Sequence, residues 1–143
     1  AFGPVFAVLV AVAVDAALRD LRITQASLVR VPGHRRPARG FDALGGIVRG
    51  AVRSLQRRGL HVASAPTLAI GHGYPVLKAQ TRAARASAIA GALTATPAAA
   101  RIRGPVIVVD DVITTGATIG EAVRALSAAT VRVDGIAVVA ARR

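Results

Sequence analysis

Residues 106–118, Val-Ile-Val-Val-Asp-Asp-Val-Ile-Thr-Thr-Gly-Ala-Thr, constrain the fold of this chain more than any other stretch. Val106, Ile107, Val108 and Val109 are all β-branched. A strand without polar alternation is buried on both faces, which calls for a parallel sheet covered by helices. The strand ends in the adjacent carboxylates Asp110 and Asp111, a Thr/Gly loop follows, and an amphipathic run from Ile119 to Leu126 begins a helix. A glycine-bearing turn that opens a helix is a ready anion site, because its amide N–H groups point outward and the helix dipole favours negative charge. Gly116 lets the backbone approach a ligand with no Cβ in the way. The carboxylates repel a phosphate but suit sugar hydroxyls or a Mg²⁺ ion. Such a ligand carries a phosphate at one end and a diol at the other, as ribose 5-phosphate does. The plainer alternative is an ordinary strand-to-helix turn, with Thr118-Ile119-Gly120-Glu121 as a capping box. Capping explains neither Thr114-Thr115-Gly116 nor an acidic pair that is costly to bury without a ligand or ion.

The rest of the chain alternates in the same way. A helix is expected from Val5 to about Arg19, a short strand over 28–31 closed by Pro32, and a basic loop over 33–40. Asp42 would cap a helix that runs through Leu55 and stops at Gly59. Residues 61–63 and 67–70 read as extended, 71–75 as a turn, 81–93 as an Ala/Arg helix and 94–103 as a connection. Strand 105–110, helix 119–128 and strand 131–140 complete the pattern. The expected fold is α/β, a parallel twisted sheet of about four to five strands flanked by helices. Its ligand should lie at the carboxyl ends of the strands.

Composition bounds the chemistry. At 143 residues, residues 1–143 make a single domain. The chain is 53% hydrophobic but only 3% aromatic, so Ala, Val, Leu and Ile build the core. It has no Cys, which excludes disulfides, thiol catalysis and a zinc ribbon. With no Met and a start at Ala1, it reads as a processed or truncated piece of a longer product. The apolar run 5–14 is interrupted by Asp15 before the roughly 18 residues that a membrane span needs. No basic region precedes it as in a signal peptide, so a soluble, cytoplasmic protein is expected. The net charge of +12 is almost wholly arginine, with Lys78 the single lysine. Such an excess raises affinity for polyanions, although a GC-rich coding sequence produces the same bias with no functional cause.

The strand, acidic pair and phosphate loop of 106–118 closely resemble the motif by which type I phosphoribosyltransferases bind 5-phosphoribosyl 1-diphosphate (PRPP). The resemblance implies that Asp110 and Asp111 hold the ribose hydroxyls, directly or through Mg²⁺. Thr114, Thr115, Gly116, Ala117 and Thr118 would wrap the 5-phosphate. The basic loop Pro32-Gly33-His34-Arg35-Arg36-Pro37-Ala38-Arg39-Gly40-Phe41-Asp42 follows a strand end. Arginine forks bind phosphate oxygens bidentately, so Arg35, Arg36 and Arg39 are candidates for the diphosphate, with His34 beside them. A solvated basic loop is the structural alternative.

The order of these parts is similar to the ComF family of competence-associated phosphoribosyltransferase-like domains. Val31-Pro32, Arg39-Gly40-Phe41-Asp42, the segment from Gln80 to Leu93 and the 106–118 motif carry the likeness, over about residues 28–143. It implies a phosphoribosyltransferase fold with a short hood. Asp42 stands where the family has Asn, Ala88 falls at another family Asn, and the family's N-terminal zinc module has no counterpart here. The position of the catalytic Asp of 6-oxopurine enzymes is Thr114, which argues against a hypoxanthine or guanine substrate. The Thr-Thr-Gly form looks more like the orotate enzymes, whose catalytic lysine lies on a mobile loop.

By that likeness Lys78 and Arg39 are the candidate catalytic residues, set against a surface role for Lys78. His61 and His72 have no metal-ligand spacing. The implied activity is Mg²⁺-dependent transfer of phosphoribose from PRPP to an unidentified nitrogen nucleophile, releasing diphosphate. The alternative is a non-catalytic module that binds PRPP or a nucleotide in DNA uptake or processing. Expected partners are PRPP or another ribose 5-phosphate nucleotide, competence or DNA-processing proteins, and a second copy of the chain. Single-stranded DNA would bind weakly, because Tyr74 and three Phe offer few stacking platforms.

Overall fold

Four parallel strands form the expected sheet, and the order in which they lie decides where a ligand site falls. A computed structural model of the chain describes residues 3–32, 43–71, 89–113 and 116–141. In chain order the elements are α1 (Gly3–Leu21), β1 (Gln25–Arg30), α2 (Ala43–Arg57), β2 (His61–Ser64), β3 (Leu68–Ile70), β4 (Leu93–Ala95), a 3-10 helix (Pro97–Arg101), β5 (Val106–Ile113), α3 (Ala117–Ala128) and β6 (Gly135–Ala141). The sheet runs β2-β1-β5-β6, with every neighbouring pair parallel. The chain steps outward from β1 to β2, then returns to lay β5 on the other side of β1.

The β-branched run of β5 is buried on both faces, as its composition requires. Ile107 and Val109 pack under α1 and α2 with Val14, Leu18, Val48 and Leu55. Val106 and Val108 pack on the opposite face with Ile119, Ala122 and Leu126 of α3. Strand β1 divides in the same way, Leu28 to the first cluster and Val29 to the second. Val10, Ala11, Val14 and Leu18 supply the buried face of α1 at helical spacing. Among the described residues no helix is long and apolar enough to cross a membrane.

Several boundaries differ from the sequence expectation. Leu93 lies in β4, not in the Ala/Arg helix. Gly91 takes a φ of +78°, a left-handed conformation that suits glycine and turns the chain out of the helix. Residues 81–88 of that expected helix lie outside the described residues. The expected connection 94–103 contains the end of β4 and the 3-10 helix. Strands β3 and β4 pair antiparallel as a separate ribbon, Ile70 opposite Leu93.

The last strand begins at Gly135 and not at Val131. Before it, the Val131 amide returns to the Leu126 carbonyl. Asp134 then makes a two-point contact with the start of β5. Its carboxylate accepts the Val106 amide at 2.9 Å, and its own amide donates to the Val106 carbonyl at 2.8 Å.

Candidate functional site

Strands β1 and β5 are neighbours whose outgoing connections leave for different regions of the fold. Arg30 is in register with Val109, and the Val31 amide donates to the Val109 carbonyl at 3.0 Å. This is the topological switch point of the sheet, where open α/β folds bind ligands outside the carboxyl ends of their strands. The sequence places the basic loop immediately after β1 and the acidic pair on β5. The sheet therefore brings the root of the basic loop, Val31-Pro32, beside Asp110.

The acidic pair lies within β5 and does not end it. The strand continues to Ile113, with Asp110 opposite Val138 and Val112 opposite Ala140 of β6. Strand alternation puts Asp110 on the face of Val106 and Val108, beneath α3, and Asp111 on the other. Asp110 is 7% exposed, whereas Asp111 is open to solvent. The Asp111 amide donates to Asp110 Oδ1 at 2.9 Å. Burial first, and then the hydrogen-bonded Asp111 carboxyl, push the Asp110 carboxyl from 3.8 up to about 7. A cation or a hydroxyl donor bound beside the two acids would favour the ionised form of Asp110.

Gly116 is the N-cap of helix α3, and its φ of 77° and ψ of −3° are left-handed. The Gly116 carbonyl accepts the first helical bond, from the Gly120 amide at 2.8 Å. An added Cβ at Gly116 would meet nothing within 4 Å. Glycine is required there by the backbone angle and not by space. No acidic residue stands in the first turn of α3, which leaves its positive end suited to an anion.

The capping-box expectation is not met. The N-cap is Gly116 with no side-chain cap bond, so Thr118 is half-buried within the first turn. Glu121 is 5% exposed and serves another purpose. It accepts the Leu93 amide at 2.8 Å and pairs with Arg124 through both carboxylate oxygens. Arg124 in turn donates to the Leu93 carbonyl at 2.9 Å. Hydrogen bonds from Arg124, Leu93 and Gly91 outweigh burial and hold the Glu121 carboxyl down at about 2. The sequence reading missed this clamp. Its signal was an acid among the buried positions Ile119, Ala122, Ala125 and Leu126, with an arginine three residues on.

Of the other expected residues, Gly116, Ala117 and Thr118 lie at the start of α3, directly after the loop that follows β5. Thr114, Thr115, Arg35, Arg36, Arg39, Lys78, His34, His72, Asp42 and Ala88 lie outside the described residues. His61 opens β2 in register with Gln25, at the amino end of the sheet and away from Asp110. Arg103 sits at that same end, where its guanidinium donates to the Ala100 and Ile102 carbonyls.

Among the described residues no group of three or more His, Cys, Asp or Glu side chains converges on a possible metal position. Two hard carboxylates suit Mg²⁺ only if a ligand and water complete the shell, which is how Mg²⁺ is commonly held beside phosphates. No protein-family model matches the chain, and no curated protein matches it.

Proposed function

We propose that this chain binds PRPP with Mg²⁺ and transfers its phosphoribosyl group to a nitrogen nucleophile, with release of diphosphate. The proposed setting is nucleotide metabolism in the cytoplasm, and the proposed kinship is with the ComF group of type I phosphoribosyltransferases. One observation carries the proposal. The acidic pair on β5, the left-handed Gly116 that opens α3, and the root of the arginine loop after β1 meet at one topological switch point.

Asp110 and Asp111 would hold the ribose hydroxyls, directly or through Mg²⁺. Bound Mg²⁺ would supply positive charge that draws electron density from the departing diphosphate. Residues Thr114 to Thr118 receive the 5-phosphate, with Gly116 allowing close approach. Arg35, Arg36 and Arg39 neutralise the diphosphate, and Lys78 adds charge over it as the ribose becomes cationic.

Calorimetric titration with PRPP, with and without Mg²⁺, tests the binding step. Diphosphate release with a panel of bases and ammonia tests transfer. Mg²⁺-dependent binding without any turnover would reduce the protein to a PRPP sensor, and failure to bind would remove the proposal altogether.

A further inference from the structure

Helix α1 has two apolar faces. Val10, Ala11, Val14 and Leu18 are buried on the sheet, yet Val5, Val8, Leu9 and Val12 are 58%, 59%, 43% and 60% exposed. Their i, i+3, i+4, i+7 spacing is that of a core-facing stripe, here turned to solvent. No charged residue interrupts α1 from Gly3 to Val14. Alongside it, α2 exposes Arg49, Arg53 and Arg57 at four-residue intervals, and none of them makes an ion pair among the described residues.

The two helices run parallel. A Cβ added at Gly50 would stand 3.1 Å from that of Ala7, and eight residues further on in each segment Arg58, just past the end of α2, reaches Asp15 of α1 at 3.3 Å. The apolar stripe and the arginine ridge therefore lie side by side on one outer face.

We propose that this face docks on the surface of a bilayer containing anionic lipid, with α1 lying in the interface plane. A contiguous exposed apolar patch bordered by charge marks an interaction surface. The chemistry of the face selects the partner. A second copy of the chain brings the same positive ridge, and neither α2 nor residues 3–14 of α1 contains a carboxylate to meet it. An anionic bilayer satisfies both halves at once, with acyl chains for the stripe and lipid phosphates for the guanidinium groups.

The test is sedimentation of the full chain with vesicles of phosphatidylcholine and phosphatidylglycerol in equal amounts, against phosphatidylcholine alone. Binding should require phosphatidylglycerol and weaken as salt rises. Arg53→Gln with Arg57→Gln should lower affinity about fivefold for each arginine lost. Val8→Gln with Val12→Gln should lower it at least as much, and both pairs should melt like the unaltered chain. A Leu9→Trp probe should shift its emission to the blue on the anionic vesicles.

Absence of sedimentation with phosphatidylglycerol overturns the proposal. So does undiminished binding of the Val8/Val12 variant, which would leave only bulk attraction by a chain of charge +12. A solution dimer dissociated by Val8→Gln would assign the face to a second copy and overturn it as well.

Discussion

Glu121, buried on α3, accepts the backbone amide of Leu93, twenty-eight residues earlier in the chain, at 2.8 Å. With Arg124 on the Leu93 carbonyl, the pair serves β4 as a neighbouring strand would, on the side that β3 does not cover. The small ribbon is thereby fastened to the helix whose first turn opens the candidate site. Glu121→Ala strands a buried amide and should cost about 1–3 kcal/mol in urea unfolding. Arg124→Ala should cost at least as much, because it leaves the buried Glu121 carboxylate without its cation.

Two carboxyls give the fold opposite pH dependences. Glu121, held near 2 against an ordinary 4.5, stabilises above about pH 4.5, and that contribution is lost as pH falls toward 2. Asp110, raised to about 7 from 3.8, favours the fold below pH 3.8, and its contribution is lost as pH rises through about 7. Melting temperature should therefore decline between about pH 5 and about pH 8, and Asp110→Asn should flatten that decline. An Asp110→Asn variant with the same slope as the unaltered chain would count against the raised carboxyl.

The same substitution separates a ligand role from a structural one. Asp110→Asn with Asp111→Asn should abolish Mg²⁺-dependent stabilisation by PRPP while raising the ligand-free stability by about 1 kcal/mol at neutral pH, once solvent screening is allowed for. Thermal melting with and without PRPP reads both quantities. A double variant that melts lower yet keeps its full response to PRPP would remove the acidic pair from the proposed site.

Gly116→Ala isolates the backbone requirement at the start of α3. A Cβ there meets nothing within 4 Å, so the cost is that of a left-handed alanine, about 1–2 kcal/mol by chemical unfolding. If this turn receives a phosphate, affinity for PRPP should fall further than the loss of stability accounts for.

The apolar run 106–109 specified a two-faced buried strand, because only a covered parallel sheet satisfies four β-branched residues in a row. Gly59, with a φ of +86°, ends α2 where the sequence placed its stop. Local pattern was less informative where a tertiary contact decides the outcome. Leu93 follows an alanine-rich run that favours helix, but a contact from α3 holds it in a strand. Thr118 and Glu121 have capping-box spacing, but Gly116 already turns the chain and Glu121 is drawn into the interior. Asp110 and Asp111 were legible as a pair. Their unequal burial was not, since it depends on which face each takes in a strand that runs on to Ile113.

The two-point contact between Asp134 and Val106 has an effect at the opposite end of the sheet. It pins β6 against the first residue of β5, and with it the phase of the whole pairing. Side chains in a strand alternate, so a slip of one residue would exchange the Asp110 and Asp111 faces and drive Ile107 and Val109 out of their cluster. A carboxylate about 13 Å from Asp110, at 3.3 Å per residue, thus acts as an indexing pin that determines which acid lies under α3 and which faces the solvent.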